Sequence, residues 1–115
     1  MWIKREDMPV EVREKMRDGT GSTRMQDMLP KGKPAHMRLF SMITLNPGDS
    51  IGQHVHEGET EIYLILAGQG LVDDDGVEIV VNVGDTVSTG GGAGHSIACA
   101  GDKPLVLAAV IVTEA

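Results

Sequence analysis

The sequence predicts an all-β domain, built as a sandwich or a barrel, on two observations. Short segments rich in Val, Ile, Leu and Thr recur at intervals of roughly ten residues, and turn-forming Gly, Pro, Asp and Asn separate them. No segment shows the apolar period of a long helix. At 115 residues, of which 41% are hydrophobic, the chain has the size of one globular domain.

The N-terminal part of the chain, residues 1–34, is predicted to be an arm outside the main domain. Pro9 is a favourable first residue for a short helix over residues 10–17, where Val and Met recur four apart. Residues 23–29 are expected to form a short strand. Residues 30–34, Pro-Lys-Gly-Lys-Pro, are expected to be a loop.

The remainder, residues 35–115, reads as consecutive strands of one barrel domain without an internal repeat. The run Asn46-Pro47-Gly48-Asp49 is a turn sequence, and Asp73-Asp74-Asp75-Gly76 predicts a tight hairpin turn rather than a calcium loop. The expected strands are residues 35–45, 61–67, 71–72, 77–83, 86–88, 96–100 and 105–113.

The charge of the chain is divided unevenly. The formal net charge is -7, yet nine of the ten basic residues lie at or before Arg38, and so do six of the seven methionines, the seventh being Met42. Residues 1–38 therefore carry +3 and residues 39–115 carry -10. An acidic main domain argues against nucleic acid as a partner.

The location expected for the protein is the cytoplasm. A single cysteine, Cys99, excludes an internal disulfide and is typical of a reducing compartment. The N-terminal residues lack the apolar core of a secretory signal, and the longest apolar run, residues 105–112, is too short to span a bilayer. No membrane partner is expected.

Four potential metal ligands lie in the β-rich region: His54, His56, Glu61 and His95. His54 and His56 are two residues apart, so on a strand both side chains point to the same face. Residues 57–60 are short enough to make a hairpin that turns Glu61 toward the same interior. Imidazoles and one carboxylate that converge in a barrel suit a divalent first-row transition metal, whereas two isolated histidines would also be ordinary surface residues.

The glycine spacing around these ligands resembles the two sequence motifs of the cupin superfamily. Residues 48–68 match the first motif, G-x5-H-x-H-x3/4-E-x6-G, at every defining position. Residues 84–99 match the second motif, G-x5-P-x-G-x2-H-x3-N, except that Gly90 replaces its Pro and Cys99 replaces its Asn. The resemblance covers roughly residues 35–112.

This resemblance implies a double-stranded β-helix, or jelly-roll barrel, with a metal held by the two His and the Glu of the first motif and the His of the second. It implies one divalent ion (Mn, Fe, Ni, Co, Cu or Zn) with two neighbouring positions open to a small molecule. The function expected is a metal-dependent oxygenase, decarboxylase or isomerase that acts on a small oxygen-rich substrate. The alternative is a non-catalytic module that binds a metal, a sugar or an organic acid.

Tyr63 and Glu59 are the candidate catalytic residues. Strand alternation places both on the face of Glu61, where Tyr63 would contact a ligand or fill the barrel, and Glu59 would act as a base or remain a solvated loop charge. Arg38 and Arg24 are the candidates for holding an anionic substrate.

Several features outside the candidate site are each open to two interpretations from the sequence. The segment Gly90–Gly94 is a permissive turn or a mobile loop, and Cys99 is a small core residue or a thiol that tunes the site. His36 is expected at the surface or in an interface rather than as a metal ligand. The Met-rich arm either lines a substrate pocket or packs against a second subunit, and small cupins favour the latter, a homodimer joined through N-terminal strands.

Overall fold

Ten β-strands make up nearly all of the regular structure in a computed structural model, which describes residues 1–114. In chain order they are β1 (Val10–Glu14), β2 (Ser22–Asp27), β3 (Met37–Leu45), β4 (Ser50–Val55), β5 (Glu59–Ala67), β6 (Gln69–Asp74), β7 (Val77–Val81), β8 (Thr86–Gly90), β9 (Gly94–Ala100) and β10 (Leu105–Thr113). Two 3-10 turns, Arg5–Asp7 and Met16–Asp18, complete the regular structure. Within the described residues, no helix has the length and apolar character needed to cross a membrane.

The strands form two antiparallel sheets that enclose one apolar core. The larger sheet has the order β1-β2-β3-β10-β5-β8, and the smaller has the order β4-β9-β6-β7. Both sheets contribute side chains to this core. The side chains that are at most 1% exposed to solvent include Ile43, Leu45, Ile51, Ile65, Val72, Ile97, Leu105 and Leu107. The all-β class and the jelly-roll barrel predicted from the sequence are confirmed. Ala115, the last residue assigned to the barrel, lies outside the described residues.

The arm contains a strand where the sequence predicted a helix. Residues 10–14 form β1, which pairs antiparallel with β2 so that Val12 lies opposite Arg24. A helix of two turns is marginal in water, whereas pairing with β2 provides hydrogen-bond partners for the backbone of β1. The helix prediction is therefore wrong. The expected strand is present as β2, over residues 22–27 rather than 23–29, and the loop over residues 30–34 is confirmed.

The arm continues the larger sheet of the barrel. β2 pairs with β3, with Met25 opposite Ile43, and Met25 packs in the same apolar core as the barrel strands. β3 begins at Met37 rather than at the expected residue 35, because His36 adopts a left-handed conformation with φ of 69°. His36 itself is exposed, as expected.

The connection between the His pair and Glu61 crosses from one sheet to the other. The sequence predicted a hairpin here, but β4 belongs to the smaller sheet and β5 to the larger. Glu57 and Gly58 make the crossing, with Gly58 at φ of 68°. The hairpin prediction is wrong, and the consequence is that His54 and Glu61 approach each other across the barrel interior from opposite sheets.

The acidic run before β7 is a turn, as predicted. β6 and β7 form a hairpin in which Asp75 and Gly76 have φ of 48° and 95°. The backbone N–H of Gly76 donates to Oδ1 of Asp73 at 2.8 Å. The side chain of Asp73 is therefore engaged in closing the turn.

Candidate metal centre

The four predicted metal ligands meet inside the barrel. His54 is on β4, His56 directly follows that strand, Glu61 is on β5 and His95 is on β9. One potential ligand atom from each residue lies within 4.8 Å of the other three. His56, Glu61 and His95 are buried, and His54 is partly exposed. We call these four residues the ligand cluster.

The distances within the ligand cluster match the spacing of ligands around one ion. Nε2 of His95 lies 3.0 Å from Nε2 of His54 and 3.1 Å from Nε2 of His56. Oε1 of Glu61 lies 2.9 Å from Nε2 of His95 and 3.0 Å from Nε2 of His56. Two atoms bound at right angles to a metal at about 2.1 Å would be about 3.0 Å apart.

Hydrogen bonds on the far side of two rings fix which nitrogen is free. Nδ1 of His54 lies 2.8 Å from the carbonyl oxygen of Gly52, and Nδ1 of His56 lies 2.6 Å from Oε2 of Glu59. Because a carbonyl and a carboxylate only accept, Nδ1 carries the proton in both rings. A lone pair is then left on Nε2 of each neutral ring, and both lone pairs point into the cluster.

Hydrogen bonding among the cluster atoms cannot satisfy them all. With the lone pairs of His54 and His56 and Oε1 of Glu61 all acting as acceptors, a proton on Nε2 of His95 would serve one of the three. Oε1 of Glu61 is buried and has no hydrogen-bond partner among the described residues. A bound cation would satisfy all the acceptors together, so the donor set fits a divalent transition metal.

The charge of the cluster comes from Glu61. Burial alone would raise the pKa of this carboxyl, but the facing imidazoles of His54 and His95, when they carry a proton on Nε2, outweigh it and lower the pKa to about 2. The side chain is therefore ionised at neutral pH, and the site offers one negative charge and three imidazoles to a cation.

Glu59 contacts the side of the His56 ring that faces away from the ligand cluster. Arg38 donates to both oxygens of Glu59, from Nε at 3.1 Å and from Nη2 at 2.9 Å. The guanidinium of Arg38, with a smaller contribution from His56, lowers the pKa of Glu59. Both carboxylate oxygens are thus engaged, and Glu59 orients the ring of His56.

Tyr63 lies beside His95 in the interior, as the alternation of β5 predicted. Its ring stacks on the imidazole of His95, with centroids 4.9 Å apart and planes 8° from parallel. Its hydroxyl oxygen lies 3.5 Å from Nε2 of His95. Burial, with the negative charge of Glu61, raises the pKa of Tyr63 well above its usual value, so the phenol stays protonated and is able to donate.

The glycine segment before His95 holds His56 in place. His56 lies beyond the end of β4, yet its backbone N–H donates to the carbonyl of Ala93 at 3.1 Å, and its carbonyl accepts from the N–H of Gly92 at 2.9 Å. Gly91 and Gly92 adopt φ of 64° and 90°, which glycine tolerates best. These contacts favour the permissive turn over a mobile loop.

Cys99 packs away from the ligand cluster. It lies against the apolar core, and its thiol donates to the carbonyl of Lys103 at 3.1 Å. The same strand, β9, carries His95 four residues earlier. These contacts favour a packing role over a thiol that tunes the site.

A small cavity opens onto the cluster. Its volume is about 110 Å³, and His54, His56, Glu61 and Tyr63 are among the residues that line it. The rest of the lining consists of three arginines and a set of apolar side chains: Arg13, Arg17, Arg38, Met16, Met25, Leu39, Ile43, Ile51 and Ile111. The cavity therefore brings arginine side chains together with residues of the ligand cluster.

The sequence identified only one of these arginines. Arg38 was expected to hold an anion, and it lines the cavity. Arg24, the other candidate, lies on β2 beside Thr44 and is not among the lining residues. Arg13 and Arg17 were missed because their segment was expected to be a helix, and the excess of bases in the arm was the available signal.

Comparison with known proteins finds relatives that match this chain over nearly its whole length. A protein of Thermotoga maritima named oxalate-binding protein is 38% identical over 113 residues, which cover 97% of this chain and 93% of that protein. The crystal structure of a predicted oxalate decarboxylase from Thermotoga maritima has a TM-score of 0.91 at 38% identity and covers 98% of this chain and 99% of its own.

A more distant structure shares the fold alone. The sugar phosphate isomerase of the cupin superfamily from Silicibacter pomeroyi has a TM-score of 0.79 at 16% identity, over 97% of this chain and 75% of its own. The family model described as Cupin domain matches residues 41–112 of this chain. With that match over most of the barrel, and with the first cupin motif intact at residues 48–68, the chain belongs to the cupin family.

Proposed function

We propose that this cupin binds one divalent transition-metal ion through His54, His56, Glu61 and His95, and uses it to hold a small oxygen-rich anion such as oxalate. The observation that supports this most is that Nε2 of His95 lies 3.0 Å from Nε2 of His54 and 3.1 Å from Nε2 of His56, inside the barrel. The bound ion would supply Lewis acidity and positions for ligand oxygens. Mn, Fe, Co, Ni, Cu and Zn all suit this donor set.

The cavity supports a compact anion as the ligand. Its volume of about 110 Å³ is far below that of pockets for drug-sized molecules. Arg13, Arg17 and Arg38 line it, and guanidinium groups bind carboxylates well. The relative named oxalate-binding protein, 38% identical over nearly the whole chain, supports oxalate in particular.

A catalytic function is the second candidate, as a metal-dependent oxygenase, decarboxylase or isomerase. The observation that favours it is the buried, protonated hydroxyl of Tyr63, 3.5 Å from Nε2 of His95, where it could donate a hydrogen bond to charge that develops on a bound ligand. Glu59 is a poor candidate for a catalytic base, because Arg38 and His56 engage both of its oxygens. Its contact with Nδ1 of His56 favours a role in orienting that ring.

We also propose that the protein is a homodimer that packs through the outer face of the larger sheet. Two apolar rows cross three strands there: Ile62, Val110 and Phe40 lie opposite one another, and so do Leu64, Ala108 and Met42. Leu64 is 38% exposed, and β10 is apolar on both faces, which is typical of a strand covered on both sides. The interface that the sequence predicted at the N-terminal strands stays an alternative, because β1 pairs with β2 on one side only and is an edge strand of the larger sheet.

The remaining properties stay predictions from the sequence. These are the cytoplasmic location, the absence of nucleic-acid and membrane partners, and a division between arm and barrel at residues 34 and 35. The pairing of β2 with β3 joins the two parts in one sheet.

Calorimetric titration with oxalate tests the proposed binding function. Protein stripped of metal with a chelator and protein reloaded with Mn²⁺ are titrated in parallel. We expect saturable binding of one oxalate per chain by the loaded protein and none by the stripped protein. Equal binding by both would contradict a metal-held ligand. Release of CO₂ or uptake of O₂ during the titration would favour the catalytic candidate.

A further inference from the structure

A short backbone segment, Lys15–Gly19, lies against β4 next to the cavity, and we call it the strap. Three of its residues, Lys15, Arg17 and Asp18, adopt left-handed conformations with φ of 48°, 54° and 62°. Side chains other than glycine rarely adopt this conformation, and it persists where surrounding structure enforces it. The contacts around the strap therefore hold its backbone in this conformation.

Two glycines let the strap lie directly on β4. A Cβ atom on Gly19 would collide with the carbonyl of Ser50, and one on Gly52 would collide with the carbonyl of Arg17. Just after the strap, Thr20 and Ser50 exchange hydrogen bonds: the N–H of Thr20 donates to Oγ of Ser50 at 2.9 Å, and the N–H of Ser50 donates to the carbonyl of Thr20 at 2.8 Å. The strap is thus fixed to the strand that carries His54.

The strap places Arg17 at the cavity that opens onto the ligand cluster. The three arginines there differ in their partners. Arg13 pairs with Glu11, and Arg38 pairs with Glu59. Among residues 1–114, Arg17 has no carboxylate within salt-bridge distance. Of the three guanidinium groups at the cavity, the group of Arg17 is therefore the one that is available to bind an anion.

We propose that Arg17 is the residue that selects the ligand, by binding the oxygens of a small dicarboxylate that the metal does not hold. This inference rests on the proposed function. A guanidinium presents a planar fork of N–H donors, so it favours a ligand with two acceptor oxygens and disfavours one with a donor in either place. The ligand class is then a compact dianion, and a monoamide of the same shape is rejected.

Titration of Mn²⁺-loaded protein with oxalate and with oxamate, in which an NH₂ group replaces one oxygen, tests this inference. We expect the wild type to prefer oxalate, and Arg17→Gln to weaken oxalate binding by about tenfold or more and to remove most of the preference. Lys15→Gln is the matched control, because it removes one positive charge from the strap at a residue that does not line the cavity. It should change the affinity less than about threefold.

A second variant tests the strap itself. Gly19→Ala pushes the strap away from the carbonyl of Ser50 without altering a residue of the cluster, and it should reduce the preference for oxalate as Arg17→Gln does. Metal content per chain, measured on every variant, should remain at the wild-type value. Arg17→Lys should restore part of the oxalate affinity but little of the preference, since it returns the charge without the fork.

The outcomes separate this inference from the proposed function. If loaded wild-type protein binds neither oxalate nor oxamate, the proposed function is wrong and the role of Arg17 falls with it. If the wild type binds oxalate and Arg17→Gln binds it equally well, or if Lys15→Gln weakens binding as much as Arg17→Gln, the role of Arg17 is wrong while the proposed function stands.

Discussion

The carboxylate of Glu59 accepts a hydrogen bond from Nδ1 of His56 at 2.6 Å, and this contact determines which nitrogen of His56 is free. Arg38 holds the same carboxylate through two further hydrogen bonds. The three side chains form a continuous path from the surface to the ligand cluster. Such contacts orient a ligating imidazole and increase its basicity.

Glu59→Gln should weaken metal binding while leaving the fold intact. The neutral amide loses the charge that both Arg38 and His56 bind, so we expect metal affinity to fall by about 10- to 100-fold. Competition with a chromogenic chelator measures the affinity. Glu57→Gln, an exposed carboxylate two residues earlier, is the matched control and should be near wild type. Equal losses in the two variants would contradict the positioning role.

Tyr63→Phe should keep the metal and lose part of the ligand affinity. The phenyl ring preserves the stack on His95, but the buried donor is removed, so oxalate binding should weaken several-fold at unchanged metal content. Tyr63→Ala removes the ring as well and should lower the free energy of unfolding by about 3 kcal/mol or more in chemical denaturation. Loss of metal in Tyr63→Phe would show that the hydroxyl maintains the cluster instead.

Gly92→Ala should lower both stability and metal affinity. Its φ of 90° disfavours any residue with a Cβ atom, and its N–H donates to the carbonyl of His56. We expect a loss of about 1–2 kcal/mol in the free energy of unfolding. Gly84→Ala, at φ of 91° in the turn before β8, is the matched control. It should lose similar stability but keep its metal affinity, and equal affinities in both variants would contradict a role for Gly92 in holding His56.

Leu64→Lys should convert a dimer into a monomer. The substitution places a charge in the middle of the apolar rows, whose burial between two copies would then be unfavourable. Sedimentation velocity measures the mass in solution. Val77→Lys, on the exposed β7 of the other sheet, is the control and should leave the mass unchanged. A wild-type protein that sediments as a monomer, or a Leu64→Lys variant that stays dimeric, would contradict the proposed interface.

The grouping of the four candidate ligands was predictable from the sequence because the spacing of ligands and glycines resembles the cupin motifs. His54, His56, Glu61 and His95 lie at fixed distances from glycines that turn the chain, and the structure brings the four together from different strands. The turn at Asp73 was predictable from local sequence alone, since a tight hairpin needs particular residues at adjacent positions.

The parts that were missed depend on contacts between distant segments. Residues 10–14 became β1 because β2 was available to pair with them, and no pattern within eight residues reveals a pairing partner. The connection at Glu57 and Gly58 is equally short in a hairpin and in a crossing between sheets. Arg17 reaches the cavity only because Gly19 and Gly52 admit the strap, a contact between residues more than thirty positions apart.

The proposed function requires that the four side chains of the ligand cluster bind one metal ion. Elemental analysis of protein purified without an affinity tag tests it most directly, with His95→Ala and the exposed His36→Ala as a matched pair. We predict one divalent transition-metal ion per chain in the wild type and in His36→Ala, and almost none in His95→Ala. A wild type that remains free of transition metal after reloading, or a His95→Ala variant with the full complement, would contradict the account.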